Sequence, residues 1–395
     1  MTRLIRLGVI LGAFGLLYLA LTYAFYVGVA SQVPGANDFY SRWMGARALF
    51  LRGENPYSLG VTQEIQIGMY GRRARPDEDQ VAFAYPLYAA FFVLPFITLP
   101  YAWAESFWIA LLILAVIGAS IAQARLFAWR LTPFKLLALV LFVLAFYPVL
   151  RGLFLGQFAL LVFASFAFGL LWLARQNDER AGWVLAISLV KPHIAGIVLA
   201  AIFVWVIAQR RWRVLRGFVS ATAVLIVTAT LLLPTWFSDF IRAVNAYAGY
   251  IQIGPPMQVL AETFLPSVLA MPIFIGGTLL LFGALIYRIA KTFRRDLWGF
   301  MPTLELAMLV TTMTMARTAT TDQTILLIPW VHWLGALMQR GLQKSAWLLA
   351  SALIIAPWFV FLSTLFGIQE APLATTTVAT LTLLMYGVAN WRDLG

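Results

Sequence analysis

Asp38, Lys191 and the group Arg317, Asp322 and Gln323 are the polar side chains whose settings in this sequence could support chemistry. Asp38 follows the apolar run 7–30 and precedes an amphipathic stretch, which places a carboxylate at a membrane boundary. Two roles fit that position. An aspartate before a helix can cap its first N–H groups, for about 1 kcal/mol, or it can serve as a general base toward a hydroxyl in a lipid-accessible cleft. Lys191-Pro192 interrupts the apolar run 182–208. Proline breaks a helix there, and a lysine in hydrocarbon must face a cavity or an anion. An anion site and a structural ion pair both satisfy that requirement. Arg317, Asp322 and Gln323, with Thr318, Thr320 and Thr321, make a polar patch between two apolar runs, suited to a sugar or phosphate or to finishing helix ends. Gly156-Gln157, shortly after Arg151-Gly152, is a further polar break. Glu305 is expected to make a structural hydrogen bond, and His193 and His332 to pack or hydrogen-bond rather than bind metal.

The elements that must position these residues are membrane helices. Of 395 residues, 62% are hydrophobic and 11% charged, whereas soluble domains have about half and about a quarter. At ~20 apolar residues per crossing there is room for about a dozen spans and no separate soluble domain. Apolar runs lie at 4–30, 102–124, 135–150, 156–174, 181–190, 192–208, 217–235, 267–289, 298–316, 323–338, 345–366 and 374–390. The expected fold is an all-α polytopic membrane protein of about twelve transmembrane helices, one transmembrane domain over 1–395. The first run is too long for a signal-peptide core and is expected to remain as a span.

Charge sets the orientation. Most of the 28 lysines and arginines fall on one side if residues 81–99, which carry Pro86 and Pro95, do not cross. The positive-inside bias makes that side cytoplasmic, with both termini. Residues 31–101 then form a first exoplasmic loop with a surface helix and a re-entrant segment, and 236–266 a second. In the first loop Phe39, Trp43, Ala46 and Phe50 recur at helical spacing, and Gly53 is placed to end the helix. Most acidic residues fall on the exoplasmic side. The net charge of +12 is absorbed by this topology and does not call for nucleic acid. With no cysteine there is no disulfide or thiolate site. The chain carries no phosphate-cradling glycine loop, so a nucleotide substrate is not expected. No cofactor and no metal site are expected either.

Asp38 with Tyr40, Ala46, Ala48, Gly53, Pro56 and Tyr57 resembles the first-loop signature of polyprenol-phosphate-mannose-dependent mannosyltransferases, within the C-type superfamily of integral-membrane glycosyltransferases. Phe83, Tyr85-Pro86-Leu87 and Pro95 are similar to that family's next block, Gly156-Gln157 to its Gly-Gln block and Lys191-Pro192 to its Lys-Pro block. Arg317 to Asp322 resembles its loop with a late aspartate. The chain departs from the pattern at Pro255-Pro256-Met257-Gln258, and it has no histidine or Ser-Pro near Asp322.

The resemblance implies the C-type fold with exoplasmic juxtamembrane helices, in the inner (cytoplasmic) cell membrane. It implies transfer of mannose or a related hexose or pentose from a polyprenyl-phosphate donor to a hydroxyl of a lipid or glycan acceptor, with inversion. Asp38 would be the general base. Lys191, with Arg151 or Arg317, would stabilise the departing phosphate, and Gln157, Tyr40, Tyr85 and Asp322 would line the donor site. The alternative from another class is a transporter or flippase of a lipid-linked sugar, which would more often show matched broken helices in two repeated halves.

Overall fold

A computed structural model describes residues 2–33, 35–250, 254–316, 319–365 and 370–390, and all regular structure among them is helical. In chain order the α-helices are α1 (Thr2–Phe25), α2 (Asn37–Arg52), α3 (Leu59–Tyr70), α4 (Ala89–Val93), α5 (Tyr101–Leu126) and α6 (Pro133–Ala145). Then come α7 (Tyr147–Leu155), α8 (Ala159–Ala174), α9 (Asp178–Ala186), α10 (Pro192–Ala208), α11 (Trp212–Leu232) and α12 (Trp236–Tyr250). The last six are α13 (Pro256–Phe264), α14 (Ser267–Thr292), α15 (Leu297–Thr314), α16 (Leu327–Gln339), α17 (Gln343–Thr364) and α18 (Thr377–Asn390).

Among the described residues six helices are long and apolar enough to cross a membrane: Gly8–Ala30, α5, α11, α14, α17 and Pro372–Asn390. A seventh is reached if α6 and α7, bent by 62° at their junction, form one span. The protein is therefore a multi-pass membrane protein. The dozen spans expected from apolar runs are not reached. Run 181–190 folds as α9 and a 3-10 turn, Ile187–Val190, and α8 and α10 are shorter apolar helices. Their composition has a second cause: a helix buried inside a bundle is apolar all round whether or not it crosses. Phe163 and Phe166 of α8 are fully buried.

The chain divides into two compact units. One comprises Met1–Ala115, Leu153–Gln157 and Ile226–Ile251, and the other Val116–Gly152, Phe158–Leu225 and Gln252–Gly395.

In the first unit α1 exposes most of its apolar side chains, as a helix facing lipid should, and Tyr26 just beyond it stacks on Trp103 at 3.8 Å. Helix α2 ends where expected. Gly53 takes φ +68°, and the N–H groups of Gly53 and Glu54 bond the carbonyls of Leu49 and Ala48, a left-handed cap that glycine adopts without strain. Trp43 donates its indole N–H to the Phe96 carbonyl at 3.1 Å, and Arg47 bonds the Ile97 carbonyl, so α2 is fixed to residues 89–99. Those residues form the short α4 and a 3-10 turn, Leu94–Phe96. Helix α3 is capped by the Ser58 hydroxyl, which accepts from the Val61 N–H at 3.3 Å.

In the second unit α8 packs beside α9, and α15 beside α10 and α14. The buried Glu305 of α15 pairs with His332 and accepts from Trp333 Nε1 at 3.1 Å, while His332 stacks on Phe127 at 4.5 Å. These are the structural roles expected of Glu305 and His332.

Candidate active site

The first unit builds its polar site around the start of α2. Ala36, at φ +50°, is the residue before the helix, and its side chain caps nothing. Asp38 lies in the first turn, where the helix dipole favours an anion. It is not the N-cap, so its carboxylate is left for other partners. Gln157 Nε2 donates to Asp38 Oδ2. Arg42, one turn on at the i+4 position, lies 3.4 Å from Oδ1. The Asp38 side chain is 33% exposed, whereas Arg42 is 11% and Gln157 7% exposed. The carboxylate is thus reachable, while Gln157 is buried and Arg42 largely covered.

The partners are held in turn. Tyr85 donates its hydroxyl to Gln157 Oε1 at 3.2 Å, which fixes the amide with its N–H groups toward Asp38. The Arg42 guanidinium lies over the Tyr85 ring at 4.2 Å. Tyr57 donates its hydroxyl to the Tyr85 carbonyl at 2.6 Å, and Asn55 folds the Asn55-Pro56-Tyr57 turn by accepting from Tyr57 N–H at 2.9 Å. Gly156 sets the distance. It takes φ +66°, and a Cβ there would lie 2.7 Å from Phe39 Cβ and 3.1 Å from Ala36 Cβ. Its carbonyl accepts from Trp108 Nε1 at 2.8 Å. Only glycine lets this backbone approach α2 closely enough for Gln157 to reach Asp38.

Two further ionisable groups join this neighbourhood. Burial raises the Asp79 carboxyl above its ordinary range; a hydrogen bond from Val81 N–H opposes this and the charge of Asp38 adds to it. Burial likewise raises the Tyr247 phenol, with the charges of Asp79 and Asp38 acting in the same direction. On the far side, Glu105 accepts from Gly35 N–H at 3.2 Å and Tyr101 donates to the Gly35 carbonyl at 2.7 Å, fixing the entry to α2. Tyr40, two residues from Asp38, points elsewhere. It packs edge-on against Tyr101 at 4.8 Å and abuts Gly68 of α3.

The second unit holds the other cluster. Lys191 sits at the break between the 3-10 turn Ile187–Val190 and α10, in a non-helical conformation that Pro192 permits. Its Nζ lies 2.5 Å from Asp322 Oδ1, and both side chains are buried. His193 Nε2 is 3.5 Å from Asp322 Oδ2, which also accepts from Ala319 N–H at 3.0 Å. Burial pushes the Asp322 carboxyl up, but Lys191 and His193 outweigh it, and the group is held well below the usual carboxylate range. Of the anion-site and ion-pair readings of Lys191, the ion pair is the one seen. His193, at 36% side-chain exposure, is the accessible member of the cluster. Arg151 Nε lies 3.5 Å from Glu370, which also accepts from Tyr147 and Thr320 at 2.6 Å each. Thr320 and Asp322 share one 3-10 turn, so the two clusters adjoin. Arg317 lies outside the described residues. Among the described residues no group of three or more His, Asp or Glu could hold a metal ion.

The structure thus brings Asp38, Gln157 and Tyr85 together, and separately Lys191 with Asp322. Sequence reasoning passed over Arg42, Asp79, Glu105, Tyr247 and the pairing role of Glu370. Of these only Arg42 left a signal, its i+4 spacing from Asp38.

Residues 83–261 match the model of glycosyltransferase family 87, a little under half of the chain. The match indicates a glycosyltransferase. It is consistent with the C-type integral-membrane class, and it fits use of a glycosyl donor and acceptor at a bilayer. The matched range holds Tyr85, Arg151, Gln157 and Lys191, while Asp38 and Asp322 lie outside it. None of the curated proteins and none of the solved structures matches the chain.

Proposed function

We propose that this glycosyltransferase moves a sugar, mannose or a related hexose or pentose, from a polyprenyl-phosphate donor to a hydroxyl of a lipid or glycan acceptor. The reaction takes place on the exoplasmic face of the cell membrane. The observation that carries this reading is the Asp38 carboxylate, accessible, uncommitted to capping and aimed by the buried Gln157 and by Arg42. An accessible carboxylate with fixed orientation is what a general base needs.

Asp38 takes the proton of the acceptor hydroxyl. The acceptor oxygen bonds to the anomeric carbon as the bond from that carbon to the phosphate oxygen breaks. Passage through an oxocarbenium-like transition state inverts the configuration. The electron pair of the broken bond leaves with the polyprenyl phosphate. Lys191 and Arg151 are assigned to that phosphate, with His193 added as the accessible member of the lysine cluster. Because Asp322 already balances Lys191, His193 is offered to the phosphate as a further hydrogen-bonding group. Gln157 and Tyr85 are reassigned from donor contacts to positioning Asp38.

The test is purified protein in liposomes carrying a polyprenyl-phosphate sugar. Release of polyprenyl phosphate that requires an added glycan or lipid acceptor supports the reading. Movement of intact donor between leaflets without bond cleavage supports a flippase and overturns it.

A further inference from the structure

Helices α6, α16 and α17 of the second unit enclose a cleft of about 400 Å³ that the catalytic reading does not use. Its walls are apolar, supplied by residues such as Leu137, Leu141 and Phe142 of α6 and Ala350 and Ile354 of α17. Trp129 also lines the cleft. Its indole donates to the Val331 carbonyl at 3.2 Å and is seated against Gly335 of α16. Trp358 donates to the Ala145 carbonyl at 2.9 Å, tying α6 to α17 at one end.

The other end is basic. Lys135, in the first turn of α6, lines the cleft there, and Phe134 faces Trp347 across it with ring centroids 6.4 Å apart. That contact puts the first turns of α6 and α17 at the same end, and Lys344 stands in the first turn of α17. Lys135 makes no ion pair with a carboxylate among the described residues. Apolar walls, a cation at the mouth and flanking aromatic rings fit an amphiphile with a hydrocarbon chain and a negatively charged head. The volume is in the range of small-ligand pockets. A second helix, about 10 Å across with its side chains, would need more room.

We propose that this cleft binds one anionic glycerophospholipid, its acyl chain between α6 and α17 and its phosphate on Lys135. The basic end is the one that the positive-inside bias assigns to the cytoplasmic leaflet, where anionic headgroups meet basic juxtamembrane residues. The proposal stands independently of the sugar-transfer reading.

The experiment is native mass spectrometry of the delipidated full chain, titrated with phosphatidylglycerol or with phosphatidylcholine of the same chain length. One phosphatidylglycerol per chain is expected, held at least tenfold more tightly than phosphatidylcholine. Lys135→Ala should bring the two lipids to equal affinity, and Ala138→Trp or, independently, Ala350→Phe should abolish the bound lipid by filling the cleft. Equal retention of both lipids by the wild type would overturn the proposal, as would unchanged phosphatidylglycerol binding in both cleft-filling variants. Two other results count against it: displacement of the lipid by polyprenyl phosphate at matched concentration, which would make the cleft a donor-tail site, and a dimer that forms through the cleft once lipid is removed.

Discussion

The side-chain amide of Gln157 donates a hydrogen bond to the carboxylate of Asp38, 119 residues earlier in the chain. Tyr85 fixes that amide from its other side, so a donor, and not an acceptor, faces the acid. Gln157 on Oδ2 and Arg42 beside Oδ1 together fix the direction of the carboxylate, which stays accessible.

Replacing Gln157 should therefore act on the base. In Gln157→Ala, losing a hydrogen bond to a charged group, at about 1.5–3 kcal/mol, should lower kcat roughly 10- to 100-fold with little change in donor affinity. Gln157→Glu should do more, since a second carboxylate beside Asp38 favours its protonated form and moves the acid limb of the pH–rate profile to higher pH. A profile unchanged in Gln157→Glu would mean that the two side chains do not interact during turnover.

Gly156 gives a prediction about stability. In Gly156→Ala the methyl group must enter a space already held by Phe39 and Ala36, at a left-handed φ that alanine resists. A loss of about 1–3 kcal/mol is expected, seen as a lower unfolding temperature in detergent, with turnover reduced in the protein that remains folded. Normal stability would show that α2 can retreat from the Gly156 backbone at little cost.

The Lys191–Asp322 pair separates structure from chemistry. Asp322→Asn leaves a buried ammonium without its carboxylate and should cost about 3–5 kcal/mol, while the double variant Lys191→Met with Asp322→Leu should regain most of that stability. The double variant should nonetheless bind the donor poorly, as measured by titration with a polyprenyl-phosphate sugar. Because Asp322 is held below its unfolded value, the pair's stabilisation is fully present above the ordinary aspartate range and is lost only as pH falls through the depressed folded value. Wild-type unfolding temperature should accordingly show no loss from this pair between pH 7 and pH 5. A double variant that is stable and binds donor normally would leave Lys191 a purely structural residue.

Local features of this fold were legible in the sequence. The helical spacing of Phe39, Trp43, Ala46 and Phe50 and the stop at Gly53 predict α2 to within two residues, because a helix face and a left-handed cap are short-range properties. The break at Lys191-Pro192 is likewise local. Partnerships were not legible. Lys191 meets Asp322 from 131 residues away, and nothing in the sequence near either residue selects the other. Tyr40 belongs to the same short motif as Asp38, yet two residues along a helix turn its side chain to the opposite side, where it packs on Tyr101 and Gly68. The count of spans was not settled for a related reason. Hydrophobicity is the same whether a helix such as α8 is surrounded by protein or by lipid, so apolar length alone does not separate a crossing helix from a buried one.

Deprotonation of the acceptor by Asp38 is read out by the single-turnover rate of polyprenyl phosphate release by Asp38→Asn with donor and acceptor both saturating. Asparagine keeps the size of the side chain and removes the base. The rate should fall by about 100- to 10,000-fold, with donor affinity and unfolding temperature close to those of the wild type. Wild-type release by Asp38→Asn would contradict that role for Asp38 and move the base to another residue.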